Sequence, residues 1–141
     1  MIDYDKLQRS LRHLEVQFDN WQRAKDRPEL TELDRQAIGE SVIQRFETCF
    51  DTLWKTLKRY LLEELGVADV PNAPKVVLRI AGQSNVLPSS VEQWLRYLDA
   101  RNDTAHDYSE AKAEECLANI EDFVHDAIGL FETMSGAPWT R

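Results

Sequence analysis

Residues 32–65 read ELDRQAIGESVIQRFETCFDTLWKTLKRYLLEEL, and this stretch decides the fold class. Its apolar positions include Ile38, Val42, Phe46, Cys49, Phe50, Leu53, Leu57, Tyr60 and Leu61, spaced mostly by three or four residues, the period of a helix face. No proline interrupts the run, and Gly66 follows as a natural stop. The spacing predicts one helix of about 50 Å at a rise of about 1.5 Å per residue. Gly39 within it marks either a bend or a close helix contact. The stripe is broad: Phe46, Phe50, Leu53, Trp54 and Leu57 cover more than a seam. Such breadth predicts one side in the domain core and another against a partner.

Upstream, residues 3–25 carry Leu7, Leu11, Leu14, Phe18 and Trp21, an amphipathic helix with a narrow seam. Residues 26–31, with Pro28, form a short connection. Thr31 suits an N-cap, and Glu32 and Asp34 suit the positive end of the long helix. Downstream, Pro71-Asn72-Ala73-Pro74 is a rigid turn. Residues 75–83 read as a short helix, 84–87 as a loop, and 88–102 as another helix with Val91, Trp94, Leu95 and Leu98 inward. Ser109 can cap a last helix reaching about Ser135, striped by Cys116, Leu117, Ile120, Phe123, Val124, Ala127, Leu130 and Phe131. No stretch has the period of a strand. The expectation is all-α: an up-down four-helix bundle with a short additional helix. One domain is expected over residues 1–141, with its core over about 3–135 and a short C-terminal tail at 136–141.

Composition narrows the function. The hydrophobic share of 43% is enough for a core. No apolar run approaches the roughly 20 residues of a membrane span, and the charged N-terminus lacks a signal peptide's apolar stretch, so a cytoplasmic protein is expected. Cys49 and Cys116 lie in helical patterns beside apolar neighbours, which predicts reduced, buried thiols. Zinc would need more ligands at close spacing, so neither a metal nor another cofactor is expected. The net charge of −8 opposes general nucleic-acid affinity. The charge is uneven, however: Lys75 to Arg101 carries four bases against two acids, and residues 102–141 nine acids against two bases. Lys55, Lys58 and Arg59 form a further basic cluster. Lys55 and Lys58 share a helix face, either as plain surface charges or as contacts for RNA or an acidic partner.

Between the last two helices stands Arg101-Asn102-Asp103-Thr104-Ala105-His106-Asp107-Tyr108, an R-x4-H-x-Y pattern. Arginine clamps phosphate, histidine moves protons near neutral pH, and tyrosine accepts covalent groups. In a continuous helix, residues five apart lie about 140° apart and share no face. Arg101 and His106 therefore converge within one chain only if it leaves the helix between them. Asn102, Asp103 and Thr104 are weak helix formers that allow this. RNA brings its own nucleophile, the 2′-hydroxyl, so a base, an acid and a phosphate clamp can cut it without a metal. One chain offers one motif histidine, and two chains across a symmetric dimer would offer two. The same residues can equally do no more than satisfy helix ends. His13 and His125 sit in helical patterns with no such setting. Arg45 could line a cleft, which the sequence leaves open.

The motif does not stand alone. Gln44-Arg45-Phe46-Glu47, Trp54-Lys55-Thr56-Leu57-Lys58, Gly66, Pro74, Trp94-Leu95, Arg101-Asn102, His106 and Tyr108 follow in an order that resembles the HEPN superfamily, and within it the HepT-like branch. That branch is also described as nucleotidyltransferase substrate-binding proteins. The resemblance covers roughly residues 38–125. It implies a HEPN-like helical bundle that forms a homodimer with both motifs facing one cleft. It implies the toxin of a toxin–antitoxin system, a metal-independent endoribonuclease with Arg101 and His106 as the catalytic pair and Asn102 in support. It implies that Tyr108 accepts AMP from a cognate MntA-like nucleotidyltransferase antitoxin. The alternative it leaves is a non-catalytic substrate-binding subunit of a nucleotidyltransferase. Asp107, an acid beside His106, departs from the usual pattern; it can orient the histidine or weaken RNA binding.

Overall fold

The computed structural model describes the backbone of residues 1–106 and 110–140 and the side chains of residues 1–104 and 111–140. Five helices follow in order: α1 (Asp5–Ala24), α2 (Glu32–Glu63), α3 (Pro74–Gln83), α4 (Val91–His106) and α5 (Glu110–Ser135). There is no strand among the described residues. This is the all-α architecture expected, with α3 as the short extra helix.

The long helix starts where its cap chemistry places it. The Thr31 hydroxyl accepts from Asp34 N–H at 3.0 Å, and the Asp34 carboxylate accepts from Thr31 N–H at 2.9 Å. These bonds hold the Asp34 carboxyl below its ordinary range. Arg35 donates back to the carbonyls of Ala24 and Arg27 at 3.1 and 3.0 Å, which fixes the turn from α1. At the far end Gly66 takes φ +66°, the left-handed conformation only glycine adopts freely, while Val67 N–H closes on the Leu61 carbonyl at 2.9 Å.

Helix α2 is the axis of the molecule and packs against all four others. The breadth of its stripe has that cause. Phe46, Phe50, Leu53 and Leu57 are buried and Trp54 is only 9% exposed, all within one chain. The expected second apolar side, facing a partner, is therefore not found in these residues; neighbours within the chain cover them. Gly39 faces Trp21 and Leu117: a Cβ there would stand 3.4 Å from the Trp21 indole nitrogen and 3.5 Å from Leu117, at ordinary packing distance.

The core centres on rings. Phe123 of α5 meets Phe46 edge-on with centroids 4.9 Å apart, and Tyr97 of α4 edge-on at 5.3 Å. Trp94 packs on Tyr97 at 5.3 Å and is fully buried. Below them Asp126 accepts from the hydroxyls of Tyr97 at 2.5 Å and Ser89 at 2.9 Å, tying α5 to α4 and the turn before it. Cys49 and Cys116 are free and buried, as expected, and burial pushes both thiols up to about 12. The tail folds back: Trp139 stacks edge-on against Phe131 at 5.4 Å, and Arg12 donates to the Thr140 carbonyl at 2.8 Å.

Helix α4 departs from expectation at both ends. It starts at Val91, not Pro88, with the Ser90 hydroxyl accepting from Gln93 N–H at 3.2 Å. It continues through Asn102, Asp103 and Thr104 to His106 instead of ending near Asn102. Thr104 shows why. Its buried hydroxyl donates back to the carbonyls of Ala100 and Arg101, at 3.2 Å each, so the side chain that could have left the helix bonds within it.

Candidate functional site

Arg101 is anchored by α2. Its Nε and Nη2 donate to the two oxygens of Asp51 at 3.0 Å each, a bidentate fork, and its Nη1 donates to Glu47 Oε2 at 3.1 Å. Glu47 and Asp51 are four residues apart, so α2 presents both carboxylates on one face. The arginine side chain is 23% exposed, enough to reach solvent and dry enough to strengthen the fork. Among the described residues, one guanidinium stands here between two carboxylates. A phosphate arriving here must share Arg101 with them or displace one.

In the sequence Glu47 stands out only as part of the family resemblance, and Asp51 carries no assigned role. The i,i+4 acid pair on the long helix was visible, but nothing local tied it to an arginine fifty residues away. Beyond Arg101, Asn102 is exposed on α4. The continuous helix sets backbone position 106 about 140° around the axis from position 101, so α4 does not place the two on one face. The His106 side chain lies outside the described residues, as do Asp107, Tyr108 and Ser109. Between α4 and α5, Asp103, Glu115 and Lys112 line a crevice of about 240 Å³, with Lys112 Nζ 3.6 Å from Asp103 and 3.8 Å from Glu115.

The two α2 lysines differ. Lys55, one turn past Asp51, is exposed and lies over the Trp54 ring at 5.8 Å. Lys58 is half-buried, its ammonium 3.4 Å from the Asn72 side-chain oxygen. Both follow Asp51 toward the C-terminal half of α2, on the flank that carries the Arg101 clamp. Trp54 and Trp94 belong to the core, and His13 and His125 are exposed. No group of three or more His, Cys, Asp or Glu among the described residues is arranged to hold a metal ion. No helix among them is long and apolar enough to cross a membrane.

Known proteins share this frame. Residues 2–135 match the family model described as nucleotidyltransferase substrate binding protein like. A Haemophilus influenzae protein named "Probable ribonuclease HepT" is 32% identical over 94 residues, which is 65% of this chain. The match spans 64% of that relative's own length. A Haemophilus influenzae structure, described as revealing the fold of a substrate binding domain of a nucleotidyltransferase, superposes with a TM-score of 0.84 at 24% identity. It covers 94% of this chain and 99% of that one. A Thermus thermophilus crystal structure superposes with a TM-score of 0.66, also at 24% identity, covering 86% of this chain and 98% of that one. At that identity the two structures speak for the fold alone.

Proposed function

The chain is a HepT-like member of the nucleotidyltransferase substrate-binding-protein-like family, and on that premise we propose that it is an endoribonuclease toxin silenced by a cognate minimal nucleotidyltransferase. The observation that carries the reading is Arg101 of α4, at the head of R-x4-H and bound through Asp51 to the central helix α2. Support comes also from the relative named a probable ribonuclease. In the proposed reaction the 2′-hydroxyl of RNA attacks the adjacent phosphorus. His106 takes the hydroxyl proton, Arg101 stabilises the charge gathering on the phosphoryl oxygens, and a proton is returned to the leaving 5′-oxygen. The bond formed is 2′-O–P and the bond broken is P–O5′, so the products are a 2′,3′-cyclic phosphate and a 5′-hydroxyl. A homodimer supplies the second histidine as the acid, and Asn102 is the polar neighbour of the clamp. No step calls for a metal, because RNA provides the nucleophile.

Silencing is proposed at Tyr108. Its hydroxyl attacks the α-phosphorus of ATP on the nucleotidyltransferase, a Tyr–O–P bond forms, and pyrophosphate leaves. The AMP group adds bulk and negative charge two residues from His106, which repels RNA phosphates. In this reading Lys55 and Lys58 meet RNA or the acidic surface of the partner.

One observation favours a second reading. Glu47 and Asp51 oppose a phosphate at Arg101, and a subunit that only positions a nucleotidyltransferase or its substrate needs no phosphate there. Degradation of RNA in EDTA by protein free of AMP separates the two. Loss of that activity in His106→Ala supports the nuclease, and inert wild type supports the binding subunit.

A further inference from the structure

Helices α1 and α2 enclose a surface groove of about 310 Å³ lined by Ser10, His13, Ser41, Gln44, Arg45 and Thr48. In a chain of net charge −8, this lining contains no carboxylate. It presents a guanidinium, an imidazole, an amide and the hydroxyls of Ser41 and Thr48 as hydrogen-bond donors, while the Ser10 hydroxyl donates to the Leu7 carbonyl at 3.0 Å. Arg45 is exposed and makes no hydrogen bond or ion pair among the described residues, whereas Arg23, Arg59 and Arg101 are each paired with a carboxylate. The donors of Arg45 therefore face the groove without an internal anion. The side chains of Gln44, Thr48 and Ser41 are likewise uncommitted among the described residues. His13 offers a ring N–H in either charge state.

Two residues of the groove's α2 lip neighbour the carboxylates that hold Arg101. Gln44 lies three residues before Glu47, and Thr48 three before Asp51, so each pair is adjacent on the α2 surface, about 5–6 Å between Cβ atoms. Four of the six lining residues are exposed, which suits a length of chain laid along the surface better than an enclosed small molecule. Spaced donors and one unpaired arginine match the repeated oxygens of a phosphodiester backbone.

We propose that this α1–α2 groove binds the backbone of single-stranded RNA and leads it toward Arg101, a role that rests on the nuclease reading for its destination but not for its binding. The test is fluorescence anisotropy of a labelled single-stranded RNA with the full chain, in a His106→Ala background so that RNA stays intact. Arg45→Glu weakens binding by about tenfold and lowers the slope of log K against log salt by about one to two. Arg79→Glu is the control, since Arg79 is exposed on α3, unpaired among the described residues and outside the groove; it weakens binding by less than about threefold if local contact and not net charge decides. Thr48→Glu, one turn further along the same lip, reproduces the Arg45→Glu effect. Equal effects at Arg45 and Arg79, or no effect at Arg45 and Thr48, overturn the groove. Parallel cleavage assays with otherwise wild-type protein separate the two proposals. RNA left uncut but bound through Arg45 removes the nuclease and keeps the groove. RNA cut by wild type but bound unchanged by the Arg45→Glu chain removes the groove and keeps the nuclease.

Discussion

Arg101 on α4 grips Asp51 on α2 with two parallel hydrogen bonds of 3.0 Å, while its remaining terminal nitrogen reaches Glu47 at 3.1 Å. The motif arginine is thus part of the scaffold before it meets any ligand. A preset guanidinium binds phosphate without losing further side-chain freedom, but it must compete with its own carboxylates.

That competition predicts opposite effects from two substitutions. Asp51→Asn keeps the shape and removes one negative charge. It lowers stability by about 1 kcal/mol, since the pair is only partly buried, and strengthens RNA affinity. Arg101→Ala removes the guanidinium that both Asp51 and Glu47 accept from, and abolishes cleavage. Urea unfolding and RNA titration of the two variants check both signs.

Phe123 is the hub of the core. It is fully buried and stacks edge-on with both Phe46 and Tyr97. Phe123→Ala should cost about 3–5 kcal/mol, enough to unfold a domain of ordinary stability. Thermal melting by circular dichroism reads this directly.

Alkaline pH should loosen the fold through groups that are held protonated. Burial raises the thiols of Cys49 and Cys116 from the ordinary 9.0 to about 12. Burial, and then the bond to Asp126, raises Tyr97 above its ordinary 10.0. In each case the unfolded chain loses its proton first. Stability is therefore fully present below the ordinary value and falls as pH rises, from about 9 for the thiols and about 10 for the tyrosine. Unfolding free energies measured by urea across that range should decline, and Cys49→Ala should flatten the decline. Native thiols should resist alkylation until the chain unfolds.

Much of the frame was legible because it rests on local signals. Thr31 with Asp34, Gly66, and the period of Leu7, Leu11, Leu14 and Phe18 each declare a cap, a stop or a face. The site was less legible, because its determinants are tertiary. Asn102, Asp103 and Thr104 look like helix breakers, yet burial of Thr104 turns its hydroxyl back onto the helix. Asp51 became the partner of Arg101 only through the crossing of α2 and α4. Trp54 and its neighbours looked too broad a stripe for one chain because the sequence does not show that α2 is surrounded. Asp126 gave no sign that it would bind Tyr97 and Ser89 in the interior.

Control by the partner makes its own prediction. Co-expression with the cognate nucleotidyltransferase and ATP should add AMP to Tyr108, seen by mass spectrometry as an AMP-sized increment on the peptide containing Tyr108. Tyr108→Phe should carry no increment and should stay toxic in the presence of that partner.

The central claim is cleavage of RNA at Arg101 and His106, and the ends of the products test it most directly. Protein shown by mass spectrometry to lack AMP is incubated with RNA in EDTA, beside folded His106→Ala. The account predicts fragments with 2′,3′-cyclic phosphate and 5′-hydroxyl ends from the wild type, and a loss of at least about 100-fold in rate for His106→Ala. Intact RNA with unmodified wild type, or undiminished cleavage by His106→Ala, would contradict it.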